Sequence, residues 1–115
     1  MLTVSMLRDF GANVDEGLNR CMNSDSFYLR LVTLAIKDDA YARLEDSLKS
    51  NDFKTAFDAA HSLKGLLGNL ALTPLYAPAV ELTELLRNPT GGEDYATPLS
   101  ELMVKHAEIE AMIDK

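Results

Sequence analysis

From Asp52 to Leu70 the apolar residues Phe53, Ala56, Ala60, Leu63, Leu67 and Leu70 recur at steps of three and four. That spacing lines one face of an α-helix, and it predicts a helix opened by Asp52 that buries its seam in a bundle. The rest of the chain agrees. Pro and Gly are few and cluster at breaks, Leu, Ala, Glu, Lys and Met dominate between them, and strand signals are essentially absent. Thr3 is placed to cap a short first helix that Gly11 stops, and Asn13 with Glu16 resembles a capping box for a second running to about Asn23. Ser26 precedes a helix over Phe27 to Ile36, and Asp38 with Asp39 can cap a continuation carrying Tyr41, Leu44 and Leu48. Whether Phe27 to Lys49 is one bent helix or two is left open by the pattern.

Thr73 before Pro74 predicts an N-cap and first-turn pair for a helix with the stripe Leu75, Ala79, Leu82 and Leu86. Pro78 removes one backbone bond there and predicts a start near Ala77 or a kink. Asn88 to Glu93 reads as a loop, and the last helix carries Tyr95, Leu99, Leu102, His106, Ile109 and Ile113 on one stripe. Short connections make neighbouring helices antiparallel. The expectation is an all-α fold: an up-down antiparallel four-helix bundle over 26–114 with additional short N-terminal helices covering it over 1–24. At 115 residues the chain is expected to form a single domain, 1–115.

Charge narrows the partners. With 11 Lys and Arg against 18 Asp and Glu, the net charge of −7 repels nucleic-acid phosphates and anionic lipids, so neither is expected to bind. No apolar run approaches the roughly 18 residues of a spanning helix, and Met1 to Phe10 lacks the layout of a signal peptide, which predicts a cytoplasmic protein. Cys21 stands alone and reads as a small buried hydrophobe. Asp38 and Asp39 diverge by about 100° on a helix and read as caps, so no metal site is expected.

One position asks for chemistry. On the helix opened by Asp52, His61 falls about 140° from the seam centred near Ala60 and Leu67, which puts a titratable ring in solvent. Lys54, Gly65 and Gly68 lie within about 40° of it, and Lys64 is one turn away on the flank. Each glycine costs roughly 0.5 to 1 kcal/mol relative to Ala inside a helix. Bare backbone beside an exposed imidazole permits close approach by another surface, and lysine charge can balance an anion placed on the ring. The combination suits a phosphorylated histidine.

Ala60 to Leu72, reading A-H-S-L-K-G-L-L-G-N-L-A-L, resembles the signature helix of the histidine-containing phosphotransfer (HPt) domains of bacterial phosphorelays. Phe53, Ala56, the helix after Thr73 and the expected bundle agree with that family, and the whole chain resembles its stand-alone bacterial type. His61 falls on the family's phosphoacceptor, Lys64 and Gly65 on its following lysine and glycine, and Gly68 and Asn69 on positions usually small and often Asn. Ala71 departs from the pattern, which commonly has glycine there. The resemblance implies that neutral His61 attacks the aspartyl phosphate of a response-regulator receiver domain, or accepts phosphate from a histidine kinase, and passes it to a response regulator. Lys64, and with less support Lys54, would steady the phosphoryl charge. Gly65, Gly68, Lys54, Phe57, Asp58 and Ser62 would form the receiver-docking face. The only cofactor implied is magnesium, carried by the partner receiver. A monomer without a kinase domain of its own is expected, since no glycine-rich nucleotide loop is present. The alternative is a docking module that sequesters a receiver or kinase without carrying phosphate. His106, on the apolar stripe of the last helix, reads as a partly buried structural histidine.

Overall fold

Seven α-helices make up the regular structure of residues 1–114, the part of the chain that the computed structural model describes: α1 (Val4–Phe10), α2 (Val14–Arg20), α3 (Asp25–Ile36), α4 (Ala40–Lys49), α5 (Phe53–Asn69), α6 (Thr73–Arg87) and α7 (Ala96–Ile113). Among the described residues there is no strand, and the chain is an all-α helical bundle. Its starts follow from capping. Thr3 Oγ1 accepts from the Met6 N–H at 3.1 Å, and Asp52 Oδ1 accepts from the Thr55 N–H at 3.3 Å. Gly11 ends α1 in the left-handed region at φ 107°.

Several boundaries differ from the sequence pattern. Ser24, not Ser26, caps α3, its Oγ taking the Phe27 N–H at 3.2 Å, so that Ser26 falls in the first turn. Helix α2 stops at Arg20, short of Asn23, because Met22 and Asn23 both take positive φ and the Asn23 N–H turns back to the Leu18 carbonyl. Helices α3 and α4 are separate. Asp38 Oδ1 takes the Ala40 N–H at 2.8 Å, the donor that a continuous helix would have sent to the Ile36 carbonyl. That carbonyl is satisfied instead by His106 Nε2 at 2.8 Å, which makes Nε2 the protonated nitrogen, since a carbonyl only accepts. Helix α6 begins at Thr73 with Leu72 as its N-cap, and Pro78 sits buried inside it. The N–H that Pro78 lacks would have reached Pro74, still in the first turn, so a single early bond is lost and the helix need not start at Ala77.

Helix α5 packs most extensively on α6 and α4, α6 packs on α7, and α3 leans on α7. The core holds Leu44, Ala60, Leu63, Leu67, Leu82 and Leu102, and Cys21 is buried without a disulfide. The N-terminal helices meet the bundle at the corner between α5 and α6. Four successive carbonyls there are taken by earlier residues: Gly68 and Asn69 by the Arg20 guanidinium (2.7 and 3.2 Å), Leu70 by the Tyr28 hydroxyl (2.8 Å) and Ala71 by the Asn13 N–H (2.9 Å). Burial, with the Cys21 charge as a smaller cause, pushes the Tyr28 phenol up to about 12, so it remains a donor. The corner itself closes with the Leu72 N–H on the Leu67 carbonyl and the Ala71 N–H on the Gly68 carbonyl, which places Ala71 at φ 56°. A glycine would adopt that conformation at no steric cost.

The loop before α7 runs to Tyr95 and is organised by Glu93, whose carboxylate accepts from the Thr90 N–H and hydroxyl, the Gly91 N–H and the Tyr95 hydroxyl. Led by the Thr90 N–H, these donors hold the carboxyl at about 2, against an ordinary 4.5. A depressed carboxyl contributes stability above its unfolded value and loses it as pH falls through the folded one. Protection of the Thr90 and Gly91 amides, taken as exchange relative to an unstructured chain at the same pH, is therefore expected to fall as pH drops from 4.5 to about 2, and Glu93→Gln should remove that change in protection; unchanged protection across the window would contradict it.

Candidate functional site

The face of α5 opposite its buried seam is where the chemistry-bearing side chains gather. Ala56, Ala59, Ala60, Leu63 and Leu67 are buried while His61 is exposed, as the periodicity requires. Its imidazole lies nearly parallel to the Phe57 ring one turn earlier, with centroids 5.8 Å apart and planes 8° from parallel. Arg87 of α6 reaches the same phenyl ring, its guanidinium carbon 5.5 Å from the centroid. Lys64 is half-buried one turn after His61. Nearby Glu84 is held below the usual carboxylate range, first by its hydrogen bond from Arg87 and least by the charge of Lys64.

His61, Lys64, Gly65 and Gly68 line one open groove of ≈ 710 Å³. Lys54, Phe57, Asp58 and Ser62 do not line it; Lys54 is two turns before His61, about 10 Å along the axis. The two glycines differ. A Cβ at Gly65 would meet nothing within 4 Å, whereas one at Gly68 would lie 2.8 Å from Cε1 of Tyr76. Expecting Gly68 to leave room for a partner is therefore corrected: its space is filled by the α6 tyrosine, and its carbonyl is taken by Arg20.

Glu16, Arg20 and Tyr76 also line the groove. No local pattern pointed to them. Glu16 and Arg20 form an i,i+4 pair like many on solvated helices, and only the tertiary fold carries it against the end of α5. The second histidine behaves as its stripe suggested: His106 is half-buried, bonded to the Ile36 carbonyl and in contact with the Tyr41 ring, centroids 4.0 Å apart and planes tilted by 41°. Among the described residues no group of three His, Cys, Asp or Glu could hold a metal ion. The groove is lined by the imidazole of His61, the ammonium of Lys64 and the guanidinium of Arg20.

Compared with known families, residues 38–115 match the model described as the Hpt domain. No curated protein and no solved structure matches the chain.

Proposed function

This chain belongs to the Hpt domain family, whose members serve phosphotransfer in phosphorelays, and we propose that His61 is its phosphoacceptor. The observation that carries this is the exposed imidazole beside Lys64, with open space at Gly65. Neutral His61 attacks phosphorus of a receiver's aspartyl phosphate through Nε2: the N–P bond forms, the acyl O–P bond breaks, and the aspartate leaves as a carboxylate. The ring proton stays on Nδ1, so no base is required. Return of the phosphoryl group to a second receiver reverses these steps, and net direction is set by the partners. Stacking on Phe57 limits rotation of the imidazole and aids in-line approach. Magnesium is supplied by the receiver, and phosphate comes from a partner. Among the described residues no helix is long and apolar enough to cross a membrane. The carrier is proposed to act as a cytoplasmic monomer.

The test is to incubate the protein with phosphorylated receiver domains and follow label onto it. Label in an acid-labile, base-stable linkage supports phosphohistidine; tight receiver binding with no label supports the docking module instead.

Lys64→Ala is expected to slow transfer about fivefold with the fold intact. A wet ammonium about 4 Å from a transferring charge is worth about 1 kcal/mol, which is about fivefold in rate. The deficit should shrink at high salt. Equal rates for the two proteins at low salt would leave Lys64 a solvated surface residue.

A further inference from the structure

Glu16 and Arg20 precede residue 38, where the Hpt match begins, yet both face into the groove of His61. They are fixed there. Arg20 Nη1 donates to the Gly68 and Asn69 carbonyls at the end of α5, Nη2 donates to the Glu16 carboxylate, and that carboxylate also receives Asn13 Nδ2 at 3.1 Å. Three of the five guanidinium N–H groups are thereby used, which leaves two without a partner in these bonds. The two side chains remain 43% and 46% exposed, so this is a pinned but accessible pair.

Charge says what such a surface attracts. The chain carries −7 overall, and within the groove Lys64 and Arg20 are cations. An acidic partner is repelled by most of the surface and drawn to this groove, which orients its approach. Resting on the phosphocarrier reading for the kind of partner, we propose that Glu16 and Arg20 extend the receiver-docking surface onto α2, Arg20 attracting an acidic side chain of the receiver and Glu16 tempering that attraction. The helices before the family match then help decide which receiver is accepted.

The two residues give opposite signs in one experiment. Both Arg20→Gln and Glu16→Gln break the same ion pair, so a purely structural role lowers the melting temperature and weakens binding in both. In docking, Arg20→Gln loosens the receiver and Glu16→Gln tightens it. The measurement is the dissociation constant, by calorimetry, of purified unphosphorylated receiver domains from a panel, at low and high salt. Arg20→Gln is expected to raise it about fivefold and Glu16→Gln to lower it about twofold at low salt, with both effects fading at high salt. Arg20→Lys, which keeps the charge and loses the two-carbonyl fork, should recover most of the affinity. Parallel weakening in both Gln variants, unchanged constants, or a wild-type protein that binds no receiver of the panel would overturn the proposal. Binding is read without phosphate, so opposite shifts alongside an unlabelled His61 would reject the phosphocarrier and keep this surface, while label on His61 with indifferent constants would do the reverse.

Discussion

His61→Gln is expected to abolish phosphoryl labelling completely while leaving helicity and melting almost unchanged. Glutamine keeps a polar side chain of similar reach but offers an amide nitrogen whose lone pair is delocalised, so no phosphoramidate forms. Exposure of His61 leaves only the Phe57 stack to lose, and surface substitutions usually stay within about 0.5 kcal/mol. His106→Gln should do the opposite. It disturbs the bond to the Ile36 carbonyl and the tilted contact with the Tyr41 ring, at a cost of about 1 to 3 kcal/mol, yet should accept label normally. Label retained by the His61 variant, or lost only by the His106 variant, would reject His61 as the acceptor.

Gly65→Gln is expected to slow transfer by about 100-fold, because a long side chain beside the imidazole holds a docking partner away and about 1 Å of misplacement costs on that order. Gly65→Ala should instead raise stability by about 0.5 to 1 kcal/mol, since its Cβ enters open space in a helix interior. Gly68→Ala supplies the contrast: its Cβ meets the Tyr76 ring at 2.8 Å, and the ring must shift, so the melt should move down where that of Gly65→Ala moves up. Thermal melts paired with single-turnover transfer rates separate the cases. Wild-type rates in both Gly65 variants would mean that no partner approaches over that residue.

Features governed by short sequence separation were legible. Thr3, Asn13 and Asp52 sit at helix starts and their side chains accept from N–H groups three residues on. The α5 seam and the exposure of His61 followed from a 100° step, and the Ala60 to Leu72 signature pointed to the family. Competition between equivalent signals was harder. Ser24 and Ser26 are both competent caps, and only the turn closing on Leu18 selects the first. Gly68 and Gly65 share a face of one helix, and what separates them is Tyr76 on another. Arg20 lay furthest from reach, because its acceptors stand 48 and 49 residues away and backbone carbonyls leave no trace in side-chain pattern.

Those separations also bear on how long a native molecule lasts. The hairpins of α4, α5 and α6 close over short loops, whereas Arg20 and Tyr28 reach the α5–α6 corner across 48 and 42 residues. Closing long loops is entropically costly and comes after local pairing. Bonds formed beyond the rate-limiting barrier leave the folding rate alone and slow unfolding. The corner is therefore expected to work as a kinetic latch: the helices before α4 close onto hairpins already assembled, and their grip sets the lifetime of the phosphoacceptor helix rather than the speed at which it is made.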